Sequence, residues 1–306
     1  MSIHSSPPDL QETSAPRLRK RRSKKSPYPT WFHLPAGVLY VGLFAIPTFA
    51  SLYFSLTRWT LFDVEFIGLE NFIAFFQERQ FMQAFLNTFV YAVLTSGTKV
   101  IIGFALAMLL SSQIIARGFL RSVVFFPVLV STIGIGLTFK VLLDPFGGAV
   151  NEALSWLGIN GPGWLTDPNT ALFTVAAIDV WKGVGIATLI YIAGIVAIPQ
   201  EYYEAARVDG ASSWKLFRHI TLPLARPATV TVIVLSLISG LRSFDLIWAT
   251  TGGGPGFSSD VLASVIYKQY QAGFFGLSTA GNVVLFLVVA AIVFPLNHFL
   301  NRQENE

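Results

Sequence analysis

The sequence predicts an all-α polytopic membrane protein with six transmembrane helices, and three observations support this fold class. Apolar residues make up 53% of the 306 residues and charged residues only 12%, whereas a soluble domain would carry about 25% charged residues. The mean hydropathy is +0.59. Apolar runs long enough to cross about 30 Å of hydrocarbon recur along the chain. They lie at roughly 34–56, 85–110, 119–143, 170–198, 227–249 and 277–300.

We expect three parts: a basic cytoplasmic tail over 1–30, a first transmembrane helix with an outer loop over 31–80, and a core of five helices over 81–300. The tail carries seven Lys or Arg against Asp9 and Glu12, while the whole chain has a net charge of +4. The excess positive charge therefore belongs to the tail. It indicates no nucleic-acid partner, and the composition also excludes a disordered chain or an ordinary soluble enzyme.

The distribution of Lys and Arg predicts the orientation in the membrane. If the N-terminus is cytoplasmic, fourteen basic residues lie inside and three, Arg58, Arg79 and Lys268, lie outside. Such a bias favours a topology with both termini in the cytoplasm. The outer loops then cover about 57–84, 144–169 and 250–276. The glycine-rich stretch 252–256 predicts a tight turn just outside the fifth span.

The sequence offers no constellation for catalysis. It has no cysteine, no phosphate-binding loop and four scattered histidines, so neither a catalytic residue nor a metal site is predicted. We therefore expect a chain that is not an enzyme, hydrolyses no ATP itself and binds no cofactor.

The longest internal cytoplasmic segment, 199–227, has a helical and amphipathic pattern. Good helix formers run from Gln200 to Val208, with Glu201 in the first turn, where the helix dipole favours an acid. Gly210 is expected as a left-handed C-cap. Ser212 or Ser213 would cap a second short helix, ended by Pro223. The pattern predicts two short helices with a bend, lying on the inner membrane surface.

Small residues near this bend leave the backbone open to close approach. They are Ala205, Ala206, Gly210 and Ala211, and they suit a knob inserted into a groove on a partner protein. From the residues alone, a helix-turn-helix that only covers the ends of spans four and five fits equally well.

A longer pattern in this segment resembles a known family. Glu204-Ala205-Ala206, Gly210, Ile220 and Leu222-Pro223 resemble the E-A-A-x3-G-x9-I-x-L-P signature of inner-membrane permeases of binding-protein-dependent ABC importers. Segments 68–72 (GLENF), 164–168 (WLTDP), 251–255 (TGGGP) and Ile266-Tyr267 look like the carbohydrate-uptake branch, of the maltose/glycerol-phosphate type first permease. The resemblance covers about residues 35–300.

This resemblance implies a type I ABC importer fold, in which two homologous permeases each push a coupling helix into a cleft on a cytoplasmic ATPase. Glu204, Ala205, Ala206 and Gly210 would lie in that cleft, while Ile220 and Leu222-Pro223 return the chain to the membrane. It also implies partners: a second homologous permease, an ATPase dimer holding ATP and Mg²⁺, and an extracytoplasmic solute-binding protein. The implied substrate is a carbohydrate, of di- or oligosaccharide size, and the implied location is the bacterial cytoplasmic membrane.

Charged residues within or at the ends of the predicted spans are costly and face a cavity or a partner. They are Lys99, Lys140, Asp179, Lys182, Arg242 and Asp245. Asp179 and Lys182 share a helix face, as do Arg242 and Asp245. In one hypothesis these are internal ion pairs or contacts to the second permease, and Lys140 and Lys182 extend to an interface.

In the other hypothesis, spans four and five line the translocation path. Asp179, Asp245 or Asn282 would then accept hydrogen bonds from sugar hydroxyls. The aromatic side chains expected to stack on sugar rings are Trp181, Tyr191, Phe244 and Trp248.

Two alternative functions stay open. One is an importer of glycerol phosphate or another polar solute. The other is an ion-coupled secondary transporter, in which Asp179 and Asp245 would be ion sites. The cytoplasmic helix-turn-helix disfavours the second alternative, because a transporter working alone has no use for that surface.

Overall fold

The computed structural model describes residues 30–60, 62–112 and 114–302, so the predicted tail up to residue 29 lies outside the described residues. The chain divides into two units, Met1–Pro47 and Thr48–Glu306. In the first unit, a 3-10 turn at Thr30–His33 is followed by α1 (Leu34–Tyr40) and a π turn at Val41–Ala45. The large apolar side chains of this stretch are exposed, as expected of a helix surrounded by hydrocarbon.

The second unit holds the other elements, apart from the first two residues of α2 (Ile46–Phe54). The strands are β1 (Thr57–Trp59) and β2 (Val64–Phe66). The helices up to the coupling loop are α3 (Glu70–Gln77), α4 (Arg79–Ser111), α5 (Arg117–Leu129), α6 (Thr132–Leu142), α7 (Ala149–Trp156) and α8 (Ala171–Val196). After them come α9 (Gln200–Val208), α10 (Ser213–Leu216), a π turn (Phe217–Thr221), α11 (Leu222–Leu224), α12 (Arg226–Leu241), α13 (Asp245–Thr250), α14 (Leu262–Gln271) and α15 (Phe275–Arg302).

Six spans are present if two bent helix pairs are each counted as one. Among the described residues, four helices are long and apolar enough to cross a membrane: Trp31–Phe54, α4, α8 and α15. The third predicted span is α5 with α6, bent by 96°, and α12 forms the other bent pair with the segment Ser213–Leu224, at 62°. The prediction of six spans is thereby confirmed, although two of them are broken.

The predicted fifth span, 227–249, is not one continuous helix. Helix α12 ends at Leu241 and α13 begins at Asp245. Arg242 therefore lies in a break between two helices, not inside a span as expected. Because the apolar run continues through Ile247 and Trp248, hydropathy alone could not locate this interruption of the backbone.

Helix α4 is the central element of the packed core. It packs against α8 and α12 at points where the side chains are small. A Cβ added at Gly103 of α4 would lie 2.8 Å from the Cβ of Ala187 in α8. A Cβ added at Gly240 of α12 would lie 2.7 Å from the Cα of Ala92 in α4. Small residues allow helix backbones in membranes to approach closely. The position of α4 is thus set by van der Waals packing along two other helices.

The one departure from an all-α fold in the described part of the chain is a short hairpin in the first predicted outer loop. Strands β1 and β2 pair antiparallel, with Thr57 opposite Phe66. Buried Asn71 of α3 donates its amide hydrogens to the carbonyls of Ser55, at 3.0 Å, and Thr57, at 2.8 Å. These bonds join the hairpin to α3.

Candidate coupling surface and transport path

The bend of the coupling segment has the geometry that its glycine predicts. Gly210 has a φ of +75°. Its N–H bonds to the Arg207 carbonyl at 3.0 Å, and the Ala211 N–H bonds to the Ala206 carbonyl at 2.9 Å. These two bonds form a Schellman motif at the end of α9, which confirms the left-handed end of the first short helix.

The predicted ATPase-contacting residues lie at the surface. Glu204, Ala205 and Gly210 are exposed, and Ala206 is half-buried. Val208 beside them is 89% exposed. Tyr202 and Trp214 of the same segment are also exposed, at 55% and 64%, and several exposed apolar side chains on one segment are typical of a surface that a partner covers.

The second helix of the segment differs from the prediction at its end. It begins at Ser213, as expected, but Pro223 does not terminate it, because the helical path continues to Leu224 and turns at Ala225. The π turn Phe217–Thr221 comes directly before the proline. This wider turn removes the regular helical hydrogen bond to the carbonyl with which the proline ring would clash. Ile220 is half-buried, and Leu222 and Pro223 are exposed.

The coupling segment is connected to the spans by a hydrogen bond and by rings. The hydroxyls of Tyr203 in α9 and Thr221 in the π turn lie 3.1 Å apart. Phe217 contacts Phe104 of α4, with centroids 5.9 Å apart, and Phe104 contacts Tyr191 of α8 at 5.0 Å. These contacts form a continuous path of packed side chains from the coupling segment to α4 and α8.

The charged residues of span four form a different ion pair from the expected one. Asp179 accepts a hydrogen bond from Nζ of Lys99 in α4 at 2.7 Å, not from Lys182. The side chains of Lys99 and Asp179 are 5% and 18% exposed. Gly183 provides the space, since a Cβ there would lie 2.7 Å from Cε of Lys99.

Arg242 and Asp245 also form no ion pair with each other within the described ranges. Both are exposed, Arg242 within the break and Asp245 at the start of α13. The break turns the backbone, so the spacing of three residues does not bring the two side chains together as it would on one helix.

Phe244 and Trp248, two residues predicted to stack on sugar rings, lie together at this break. A third ring, that of Tyr267, lies beside them and was not predicted to line the sugar path. Phe244 and Trp248 stack at 5.8 Å, and Tyr267 of α14 lies 5.1 Å from Phe244 and 4.9 Å from Trp248. We call these three rings the aromatic cluster. The Ile266-Tyr267 pair in the family resemblance was the only signal for Tyr267.

The other predicted path residues lie in three separate surroundings. Trp181 is 46% exposed on α8 and packs on Phe139. Tyr191 is fully buried between α4, α8 and α12. Asn282 is exposed on α15, with its amide donating to the Ser278 carbonyl at 3.3 Å.

A buried carboxylate that the sequence did not indicate lies beside the glycine turn, where a Cβ added at Gly253 would meet Oδ1 of Asp260. Asp260 is fully buried and accepts bonds from Nζ of Lys268, at 2.7 and 2.9 Å, and from Oγ of Ser264, at 2.8 Å. The amide of Asn87 in α4 donates to the Asp260 carbonyl at 2.8 Å. Lys268, expected as a plain outer-loop charge, is therefore paired.

In the part of the chain that is described, no group of three or more metal-ligating side chains occurs.

Sequence and structure comparisons define the class of protein. Residues 99–303 match the family described as binding-protein-dependent transport system inner membrane component, and the chain belongs to this family. It is thus a permease subunit of an ABC transporter in the inner membrane, not an enzyme, and the family resemblance is confirmed.

Particular relatives share most of the chain. The chain is 33% identical to the trehalose/maltose transport system permease protein MalF of Thermococcus litoralis, over 84% of this chain and 88% of the relative. It is 31% identical to the arabinooligosaccharides transport system permease protein AraP of Bacillus subtilis, over 88% and 87%. A bacterial ABC transporter that imports the acidic polysaccharide alginate has a similar structure, with a TM-score of 0.77, 25% identity and coverage of 89% and 94%. This likeness confirms the type I importer fold.

Proposed function

We propose that the chain is the permease subunit of an ATP-driven importer of a carbohydrate, of di- or oligosaccharide size. It would pair with a second homologous permease, two ATPase subunits that hold ATP and Mg²⁺, and an extracytoplasmic solute-binding protein. The relatives named for trehalose and maltose, for arabinooligosaccharides and for alginate support the substrate class. The basic residues on the coupling-loop side support cytoplasmic termini in a bacterial membrane.

The exposed coupling segment is the observation that carries this proposal. Glu204, Ala205, Ala206 and Gly210 would enter the cleft of the ATPase, with Ile220, Leu222 and Pro223 leading back to α12. When the ATPase dimer closes around ATP, the contacts through Phe217 and Phe104 pass the motion to α4 and α8. The central cavity would then open outward, where sugar is delivered.

We place the sugar path at the break between α12 and α13, because interrupted helices supply the binding groups of many transporters. Exposed Asp245, and the oxygen of Asp179 that Lys99 leaves free, would accept bonds from sugar hydroxyls. Phe244 and Trp248 would stack on sugar rings, and we add Tyr267. Trp181, Tyr191 and Asn282 stay predictions.

Reconstituted vesicles test the function. When the chain is reconstituted with its sister permease, ATPase and solute-binding protein, we expect uptake of labelled maltotriose that requires both ATP and the binding protein. Uptake of glycerol 3-phosphate in its place would favour the polar-solute alternative. Uptake driven by a sodium or proton gradient, with the ATPase left out, would show that the importer proposal is wrong.

Alanine variants test the path. We expect Trp248→Ala and Asp245→Ala each to raise the sugar concentration for half-maximal uptake about fivefold, since a well-placed aromatic contact or a hydrogen bond contributes about 1 kcal/mol. Trp156→Ala is the matched control, because Trp156 is an exposed tryptophan at the end of α7. Transport assays should show no change for the control. If both path variants transport like wild type, the path does not run along this break.

A further inference from the structure

A groove of about 250 Å³ lies between α4, α5 and α8, and the proposed function does not use it. The lining residues on which the argument rests are Leu110, Arg121, Ser122, Gly185, Thr188 and Leu189. It is at the end of α4 that faces the coupling segment, because Ser111 and Ser112 line a cavity together with Tyr203 of α9. The groove is therefore on the side that the proposed function places in the cytoplasm.

Arg121 is the groove's one charged group. One of its terminal nitrogens, Nη2, donates to the Leu110 carbonyl in the last turn of α4 at 2.9 Å, but the buried Nε has no partner. Ser122 and Thr188 use their hydroxyls on carbonyls of their own helices, at 3.1 and 2.8 Å. Because Nε is closed to solvent, the donors that Arg121 can offer to an acceptor from outside the chain are those of Nη1, which has no hydrogen-bond partner among the described residues.

An anion suits this site, because no carboxylate of the described residues forms an ion pair with the guanidinium. No Asp or Glu occurs between Glu78 and Asp144, and none of the four ion pairs in the described residues includes Arg121. A partly buried charge is expensive unless it is paired. Arginine also binds phosphate in a two-pronged geometry that a lone backbone carbonyl cannot use.

The rest of the groove is apolar and opens on the surface of a span. A Cβ at Gly185 would lie 2.6 Å from the Val124 carbonyl, so α5 and α8 touch and close the floor. Leu189 on the rim is 54% exposed. A ligand that fits this groove needs an anionic group for Arg121 and hydrocarbon for the apolar remainder. A phospholipid has both. Inner-leaflet anionic lipids bind basic pockets between helices in this way.

We propose that this groove is a binding site for an anionic phospholipid, with the phosphate on Arg121 and part of an acyl chain between α5 and α8. The site is separate from the sugar path and from the coupling surface. It would fix the junction of α4, α5 and α8 in a membrane that contains anionic lipid.

Lipid binding to the purified transporter complex tests this proposal. After delipidation, phosphatidylglycerol is added back in phosphatidylcholine nanodiscs, and bound lipid is counted by native mass spectrometry after release into detergent. We expect Arg121→Gln to weaken phosphatidylglycerol binding about fivefold, from the contribution of one basic residue near the membrane surface. Arg117→Gln, one helical turn earlier on α5 and outside the groove, should bind like wild type.

A second variant keeps the arginine and guards against a folding defect. Leu189→Trp fills the groove at its exposed rim, and we expect it to lower phosphatidylglycerol binding as well. Unchanged binding by either Arg121→Gln or Leu189→Trp would overturn the proposal. Displacement of the lipid by glycerol 1-phosphate at equal concentration would also overturn it, because the site would then be one for a free phosphate.

Discussion

Replacing Gly210 by aspartate is expected to uncouple the transporter while leaving the membrane part of the chain folded. The space around the Gly210 Cα is open, since an added Cβ would meet nothing within 4 Å. In the assembled complex, however, the carboxylate would be buried against the ATPase without a partner. Such a group costs about 1–3 kcal/mol or more, which corresponds to about a fivefold or greater loss of binding. Retention of the ATPase during purification and binding-protein-stimulated ATP hydrolysis should both fall by that factor.

Gly158 provides a closely matched control. It ends α7 with a φ of +73°, and the same two hydrogen bonds form: its N–H to the Ser155 carbonyl at 2.9 Å, and the Ile159 N–H to the Leu154 carbonyl at 3.0 Å. Gly158→Asp therefore imposes the same backbone strain in the second outer loop, away from the ATPase. It should keep full ATPase binding. An equal loss of ATPase binding in both variants would mean that backbone strain alone explains the effect. Full coupling in Gly210→Asp would show that the ATPase contacts another part of the chain.

Lys99→Met is expected to be the most destabilising single change in the membrane core. It leaves the Asp179 carboxylate between α4 and α8 without its cation, where the pair is mostly buried. Removing one partner of a buried ion pair costs about 3–5 kcal/mol. The measurement is unfolding of the purified chain in mixed micelles with increasing denaturing detergent, followed by tryptophan fluorescence.

A double variant and an exposed pair distinguish this explanation from general loss of packing. Lys99→Met combined with Asp179→Leu removes both charges and should regain most of the lost stability, as found for buried pairs replaced by apolar groups. Arg58→Met breaks an exposed pair with Glu65 and Glu70, for which we expect less than about 1 kcal/mol. If the double variant is no more stable than Lys99→Met, the ion pair is not the cause.

The coupling segment could be predicted from sequence because its geometry is local. Capping at Gly210, and helix formation before and after it, depend on residues within one or two turns. The predicted end of the second helix at Pro223 was wrong by one residue, since the helical path ends at Leu224, and the π turn Phe217–Thr221 before it has no signature that hydropathy or propensity can detect.

The polar part of the path could be predicted only in its residue types. Asp179 and Lys182 have the spacing of a helical pair, yet the cation comes from Lys99, 80 residues earlier in the chain. Asp260 was missed, because nothing in its sequence neighbourhood shows that α4 will bring Asn87 against it. Tyr267 joins Phe244 and Trp248 only through the fold of α14.

The sequence by itself determined the membrane class, the six apolar spans, the family and the bend at Gly210, because hydropathy, length and capping act over short stretches of chain. Tertiary structure alone decided where α5–α6 and α12–α13 are interrupted, which cation pairs with Asp179, and which rings meet at the break. The physical reason is that buried charges and helix breaks are stabilised by whichever neighbour the packing provides. For Asp179 that neighbour is α4, which supplies Lys99 and packs closely on α8 and α12 where side chains are small.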